Sequence, residues 1–336
     1  MRAVAYGRGG VLQQISLDRP TPRPGEVRVR VGVSGVNPAD WKNRRNYAGA
    51  APVVPHHDGG GVIDAVGDGV DPRRVGQRVW LWETGRQRRG GTAQEFTVVP
   101  HRHAVALPDG VGLELAACLG VPAVTAHRCL TIAEGGPARL APGALSGQTV
   151  LVAGGAGAVG HAATQLARWS GANVIATVST DEKVALAEAA GAHHVVRYRD
   201  PDVAERIRAL APGGADVIVE VAPHQNAELD AVVLAPGGAV AAYAGRAETR
   251  AVLPVGALLA VNARWQFVQA FTMPDRAKEA ALDAISAALV EHALPVGAAA
   301  GLPLHRFPLE RAAEAHDAVE AGVVGKVLVE IDGSLR

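Results

Sequence analysis

From about residue 147 onward, the chain alternates short apolar runs with glycine turns and helical patterns, and this feature restricts the possible folds most. The first run, 149–153, is continuously apolar, and a helical pattern follows over 159–170. Further apolar runs occupy 173–178, 216–221 and 239–243. Apolar strands that alternate with helices are typical of a parallel sheet with helices on both faces. We therefore predict an α/β domain with a doubly wound parallel sheet.

The first 120 or so residues follow a different pattern. Residues 26–31 alternate strictly between apolar and polar side chains, and short β-rich runs follow at 61–66, 77–82 and 95–99, separated by turn residues. This spacing predicts a compact β domain. The chain ends with a helical pattern over 309–321 and a last strand.

The composition limits the classes of function. Basic and acidic residues number 33 each with no basic block, which disfavours nucleic acid or an anionic membrane as partner. Two cysteines cannot form a disulfide framework, so we expect a reducing cytoplasm. The N-terminal residues lack the apolar core of a signal peptide, and the longest uncharged stretch, 231–245, is broken by Pro and Gly and is too short to span a bilayer. We expect a soluble cytoplasmic protein.

Three glycines follow the strand at 149–153 in the pattern G-x-G-x-x-G. They are Gly155, Gly157 and Gly160, and in a glycine-rich chain the pattern alone is weak. Its position between a strand and a helix is what predicts a dinucleotide site, in which the turn admits a pyrophosphate at the helix N-terminus. The alternative is an ordinary tight turn between a strand and a helix.

The tip of the second strand suggests which dinucleotide binds. An NAD site usually has an acid there for the ribose 2′-hydroxyl, but this strand ends in Ser179 and Thr180, with Lys183 one helical turn further. Hydroxyls and a cation suit a 2′-phosphate, so we predict NADPH over NADH. Asp181 and Glu182 weaken this signal, and a solvated Lys183 in a first helical turn is the alternative.

Five segments together resemble the zinc-free quinone oxidoreductase branch, which includes zeta-crystallin, of the medium-chain dehydrogenase/reductase superfamily. They are 34–41, 55–67, 120–126, the glycine turn 153–160, and Gly325 with Lys326. The resemblance covers about residues 1–331. It implies a GroES-like β domain interrupted by a Rossmann domain.

The implied limits are 1–122 with 295–336 for the GroES-like domain, and 123–294 for the Rossmann domain. Relatives commonly dimerise through the Rossmann sheet, so a homodimer is expected.

The resemblance also implies roles for single residues. Lys183 and Tyr198 match residues that flank the adenosine phosphate, although Tyr198 alone would be interpreted only as an aromatic at a strand end. Thr125 matches a residue near the nicotinamide, and the segment from Val268 to Phe271 matches one that holds the carboxamide through backbone groups. The complete set expected to bind cofactor is Asn37, Thr125, Gly155, Gly157, Ala158, Val159, Gly160, Ser179, Thr180, Lys183, Tyr198, Val221, Tyr243, Val268, Phe271 and Lys326.

No metal is expected. Zinc-dependent relatives use two cysteines, a histidine and an acid, but here Asn37 and Val121 stand at the two cysteine positions. His57 and Asp58 remain at the histidine and acid positions, and these four residues cannot complete a tetrahedral zinc site. The alternative for His56 and His57 is two polar residues where a loop enters a strand.

Without zinc to stabilise an alkoxide, alcohol oxidation is disfavoured. Quinones and α,β-unsaturated carbonyls accept hydride with less help, because conjugation delocalises the charge. The expected substrate cleft contains Asn37, Lys42, Tyr47 and His127, and no catalytic residue is assigned. Two alternatives stay open: an enoyl-thioester or tailoring reductase of a biosynthetic pathway, and a non-catalytic NADPH-binding sensor.

Overall fold

A computed structural model describes residues 1–245 and 248–335, and the chain divides into two compact units. Unit 1 comprises Met1–Val121 together with the chain from Leu304 onward, and unit 2 comprises Pro122–Pro303. The chain therefore returns from unit 2 to unit 1 at residue 304, whereas the predicted boundary was residue 295. Backbone carbonyls of Pro295 and Ala300 accept hydrogen bonds from helix side chains of unit 2, at 2.9 and 2.8 Å, and these bonds retain the segment there.

The strands of the described residues are β1 Arg2–Tyr6, β2 Leu12–Ser16, β3 Glu26–Val36, β4 Asp58–Val66, β5 Arg78–Leu81, β6 Phe96–Pro100, β7 Ala104–Ala106, β8 Thr149–Ala153, β9 Asn173–Val178, β10 His194–Arg197, β11 Ala215–Glu220, β12 Leu234–Ala242, β13 Arg264–Phe267, β14 Leu304–Pro308 and β15 Lys326–Glu330. The helices are α1 Pro38–Arg45, α2 Leu113–Leu130, α3 Ala158–Trp169, α4 Asp181–Ala189, α5 Val203–Leu210, α6 Pro223–Val233, α7 Val255–Ala260, α8 Asp275–Val290 and α9 Ala312–Glu320. The predicted helix over 309–321 begins as a 3₁₀ turn, Leu309–Arg311.

Unit 1 is built on a sheet with the strand order β14-β15-β3-β4-β5-β7, and β6 also pairs with β3. The alternation predicted for 26–31 has its expected consequence, since Val27, Val29 and Val31 are completely buried while Arg28 and Arg30 form ion pairs at the other face. Successive side chains of a strand point to opposite faces. The β domain is confirmed, and its arrangement is the GroES-like one.

Unit 2 contains a six-stranded sheet with the order β10-β9-β8-β11-β12-β13, and every neighbouring pair is parallel. Leu151, Ile175 and Ile218 lie at its centre and are almost completely buried, as expected for strands covered on both faces. This is the Rossmann order, whose ligands bind at the carboxyl ends of the strands, where the order reverses beside β8. The predicted fold class is confirmed.

One helix of the described chain, α2, is long and apolar enough by composition to cross a membrane. It has 18 residues and includes Pro122, and 78% of it is buried inside the protein. Such burial is typical of a core helix. Neither α2 nor α8 was predicted from the sequence.

Candidate functional site

The glycine turn connects β8 to α3. Gly154 adopts a φ of +72°, which favours glycine, and the N–H groups of Gly154 and Gly155 both donate to the carbonyl of Thr177, at 3.0 and 3.1 Å. Gly157 then caps α3 with an extended backbone. Sequence analysis missed Gly154, because the fingerprint starts one residue later, yet this residue makes the turn possible.

Each glycine of the fingerprint is required for a different structural reason. A Cβ on Gly160 would lie 2.3 Å from the backbone oxygen of Gly154, and one on Gly155 would lie 2.8 Å from the Cβ of Ala176. These two glycines allow close packing within the unit. A Cβ on Gly157 would meet only the Gly154 oxygen, at 3.4 Å, and Gly157 is exposed. The space outside Gly157, at the N-terminus of α3, therefore fits a dinucleotide pyrophosphate.

The predicted residues for the adenosine phosphate lie together at the tips of β9 and β10. The Lys183 ammonium donates to the Ser179 hydroxyl at 3.1 Å, and the Thr180 hydroxyl accepts from the Lys183 N–H at 3.4 Å. Because β9 and β10 are parallel neighbours, Tyr198, directly after β10, lies at the same edge, and 38% of it is exposed. This arrangement can bind an anion.

The charges around this edge also suit an anion. Asp181, one of the two acids that weaken the sequence signal, forms an ion pair with Arg197 at 2.9 Å, so its charge is compensated. The Arg199 guanidinium lies 5.9 Å from the centre of the Tyr198 ring. A 2′-phosphate here would face cations from both strand tips.

The residues predicted near the nicotinamide follow the other strands of unit 2. Val221 comes after β11, Tyr243 after β12, and Val268 after β13, where the Val268 N–H donates to the Ala242 carbonyl at 2.8 Å. Tyr243 and Val268 help to line a cavity of about 680 Å³, whose wall also contains Arg128. Two further predicted residues differ in exposure, since Thr125 is buried and Phe271 is half-buried.

In unit 1, Asn37, Asp58 and Lys326 form a buried polar cluster. The Asn37 amide donates to the Asp58 carboxylate at 2.7 Å and accepts from the Lys326 ammonium at 2.7 Å. The Val121 N–H also donates to Asp58, at 2.9 Å. Asn37 is 3% and Lys326 2% exposed. The structure shows Asn37 and Lys326 bonded within this cluster, and their expected contact with cofactor stays a prediction.

The same cluster tests whether zinc fits. Burial raises the pKa of Asp58, while Lys326 and the donated hydrogen bonds act in the opposite direction. The Lys326 nitrogen lies 3.8 Å from the Asp58 carboxylate, so a divalent cation bound there would be repelled by the ammonium. Within the described residues, no three histidine, cysteine or acidic side chains are grouped as metal ligands. The residues present do not fit a zinc site.

Ser34, His56, Thr92 and His316 form a hydrogen-bonded chain in unit 1. The Thr92 hydroxyl donates to the Asp58 carbonyl at 2.6 Å, so it accepts from the Ser34 hydroxyl at 2.6 Å. Ser34 in turn accepts from His56 Nδ1, and His56 Nε2 accepts from His316 Nε2, both at 2.8 Å. Burial lowers the pKa of His316 to about 3 and that of His56 well below its usual value. Both rings are neutral, and His56 has a structural role.

The other predicted cleft residues are placed as follows. His127 is 1% exposed and accepts from the Leu140 N–H at 3.3 Å, so it is packed in the interior of unit 2, and its assignment to the substrate cleft stays a prediction. Burial lowers its pKa to about 4. Lys42 and Tyr47 are half-buried. The Tyr47 hydroxyl donates to the Ala51 carbonyl at 2.6 Å, which holds it within its own loop.

Comparisons with known proteins agree with this geometry. Residues 158–287 match the model of a family described as "Zinc-binding dehydrogenase", and residues 23–109 match "Alcohol dehydrogenase GroES-like domain". The rat quinone oxidoreductase is 28% identical, with 98% of this chain and 96% of the relative covered.

Two solved structures are also similar to this chain. A mycobacterial protein complexed with NADPH is 28% identical, with a TM-score of 0.79 over 98% of this chain and 99% of that one. A protein described as an NAD-dependent alcohol dehydrogenase is 29% identical, with a TM-score of 0.82 over 98% of this chain and 100% of that one.

The GroES-like unit, the Rossmann unit and the glycine turn define a dinucleotide-dependent oxidoreductase. The chain belongs to the medium-chain dehydrogenase/reductase superfamily. Within that superfamily it is an enzyme of the quinone oxidoreductase type.

Proposed function

We propose that this enzyme uses NADPH to transfer a hydride to a quinone or an α,β-unsaturated carbonyl, without zinc. The observation that carries the proposal is the contact between Lys183 and Ser179 at the tip of β9, behind a glycine turn with open space at Gly157. The solved mycobacterial relative with NADPH and the curated quinone oxidoreductases support it.

NADPH, when bound, supplies the hydride. The Lys183 ammonium and the Ser179 hydroxyl bind the 2′-phosphate, and the N-terminus of α3 binds the pyrophosphate. Backbone groups of the segment from Val268 to Phe271 orient the carboxamide. The substrate carbon gains the hydride with its electron pair, the conjugated oxygen takes the negative charge, and a proton from water or a nearby side chain completes the reduction. The contribution of the protein is orientation.

The absence of zinc from the reaction is part of the proposal. The Lys326 ammonium places a positive charge 3.8 Å from Asp58, the residue at the acid position of the zinc-dependent relatives. A quinone or an enone does not need a Lewis acid to accept hydride, whereas oxidation of an alcohol by the mechanism of the zinc-dependent relatives does.

We also propose that the enzyme is a cytoplasmic homodimer. The edge strand β13 of the Rossmann sheet ends at Phe267, which is 73% exposed, and α7 presents Leu259, which is 74% exposed. Apolar side chains beside a sheet edge suit association with a second copy. Light scattering should give twice the monomer mass for the wild type, whereas Phe267→Glu should give the monomer mass. A monomeric wild type would contradict this part of the proposal.

Steady-state NADPH oxidation tests the function. Purified enzyme, with zinc measured by elemental analysis, is assayed with quinones, enones and enoyl thioesters, with and without a chelator. We expect turnover of quinones or enones that a chelator leaves unchanged. One zinc per chain would contradict zinc independence. Turnover of enoyl thioesters alone would favour the biosynthetic alternative, and NADPH binding without any turnover would favour the sensor.

A further inference from the structure

Two carboxyl groups lie against each other in the interior of unit 2, at the end of β11. Glu220 is 0% and Asp230 is 1% exposed, and the Asp230 carboxyl contacts the Glu220 carboxylate, while its buried Oδ2 has no other partner among the described residues. The proposed hydride transfer uses neither of them. Sequence analysis missed both, because an acid at the end of an apolar run and an acid within a helix give no distinctive pattern.

The hydrogen bonds show which group carries the proton. The Glu220 carboxylate accepts from the Ala222 N–H and accepts from the Asn226 amide at both oxygens, at 3.0 and 3.1 Å. Glu220 therefore has the partners of an ionised carboxylate. Two negative charges in hydrogen-bond contact are not stable in a dry interior, so Asp230 is the protonated partner and donates to Glu220.

This pair holds the turn that leads from β11 into α6. Glu220 bonds to Ala222 two residues further on, and to Asn226 and Asp230 on successive turns of α6. The turn also contacts the cofactor site, since a Cβ on Gly154 would lie 3.1 Å from Val221 Cγ1. The glycine turn and the turn over 220–223 thus pack directly against each other.

We propose that Asp230 is a positioning residue for the dinucleotide: as a neutral carboxylic acid it holds the Glu220 carboxylate, which keeps Val221 against the glycine turn. This inference rests on the proposed function. Burial, followed by the neighbouring charge of Glu220, raises the pKa of Asp230 to about 9. Above that pH the two carboxylates repel each other, and the turn loses the group that holds it.

Several other ionisable groups face this pair. His224 lies at the start of α6, and Tyr243 follows β12, where its N–H donates to the Glu220 carbonyl at 3.0 Å. Cys129 on α2 faces Tyr243. Burial raises the pKa of Tyr243 and that of Cys129 above their usual values, so both stay neutral where Asp230 ionises. His224, Tyr243 and Cys129 are unchanged in a variant at position 230.

The test compares the wild type with Asp230→Asn and Asp230→Ala, measuring NADPH dissociation constants from pH 7 to 10. The amide of Asp230→Asn donates to Glu220 but has no proton to lose. We expect Asp230→Asn to match the wild type at pH 7. Between pH 8 and 10 the wild type should weaken by about tenfold more than Asp230→Asn, equivalent to about 1.4 kcal/mol. Asp230→Ala should bind NADPH and NADH about tenfold more weakly at pH 7. The turn over 220–223 supports the glycine turn, and the glycine turn is the site for the pyrophosphate that both cofactors contain.

Parallel pH profiles of the wild type and Asp230→Asn, together with unchanged binding by Asp230→Ala, would overturn this inference and leave the proposed function intact. Absence of NADPH binding by the wild type at pH 7 would overturn the proposed function and the inference with it. If Asp230→Ala fails to fold, the comparison with Asp230→Asn decides alone, because that variant keeps the hydrogen bond and the volume.

Discussion

Lys326 and Lys183 are two of only four lysines among the 33 basic residues of the chain, and their surroundings differ. Lys326 is 2% exposed in unit 1, where it bonds to Asn37 beside the Asp58 carboxylate. Lys183 is half-buried at an edge of unit 2, and its ammonium donates to one neutral hydroxyl, that of Ser179.

The difference separates a structural cation from one that is available to a ligand. A buried ammonium must be paired within the protein, because removing its partner leaves an uncompensated charge. An ammonium at the surface beside a hydroxyl keeps N–H groups for an anion that arrives from solution. Both lysines were predicted to bind cofactor; the surroundings of Lys183 suit a binding group, and the role of Lys326 at the cofactor stays a prediction.

The largest effect is expected for Lys326→Met. The substitution leaves Asp58 buried without its cation, so the free energy of unfolding should fall by about 3–5 kcal/mol. Chemical denaturation measures this change. Lys183→Met is the matched control and should change stability by less than about 1 kcal/mol. Equal stability of the two variants would show that the comparison is wrong.

Gly157→Val tests the open space at the N-terminus of α3. The new side chain would occupy the place of the pyrophosphate, so NADPH and NADH should both bind more than about 100-fold more weakly, or about 2.7 kcal/mol. Stability should change little, because a Cβ there meets only one atom within 4 Å. Titration and thermal unfolding measure the two effects. Unchanged affinity would mean that the turn only packs the helix against the sheet.

Lys183→Ala separates the two cofactors. Loss of a charge-assisted contact worth about 1.5–3 kcal/mol should weaken NADPH by roughly 10- to 150-fold. NADH has no 2′-phosphate, so its dissociation constant should change much less. Small and equal changes for both cofactors would show that Lys183 is merely solvated.

Ser179→Ala is expected to have the smallest effect. The Ser179 hydroxyl has no charge of its own, so we expect its bond to the ionised phosphate to lie at the low end for charge-assisted bonds, about 1.5 kcal/mol, and NADPH should bind about tenfold more weakly. NADH affinity should stay the same within a factor of about two, or 0.4 kcal/mol. A larger loss for NADH than for NADPH would place Ser179 outside the phosphate site.

Local sequence patterns predicted the strands and helices whose formation depends on residues close to one another in the sequence. The strand 149–153 was located to the residue, and the helix after the glycine turn to within one residue at each end. Apolar periodicity and turn residues act over short distances, which explains this success. The segment 295–303 was assigned to the wrong domain, because its hydrogen bonds to α3 join residues more than 120 positions apart.

The candidate site was predictable where adjacent strands bring it together. Ser179 and Lys183 were predicted from the tip of the second strand and Tyr198 from the family resemblance, and the parallel order of β9 and β10 places all three at one edge. The burial of His127 and the pairing of Asn37 with Lys326 across 289 positions depend on tertiary packing, which no local pattern records. The Glu220–Asp230 contact was missed for the same reason.

The most direct test of the central claim is the pair of dissociation constants of the wild-type enzyme for NADPH and NADH, measured by titration at neutral pH. The contact of Lys183 and Ser179 with a 2′-phosphate predicts that NADPH binds at least about tenfold more tightly, equivalent to about 1.4 kcal/mol. Equal affinities, or tighter binding of NADH, would contradict the assignment of the β9–β10 edge to that phosphate.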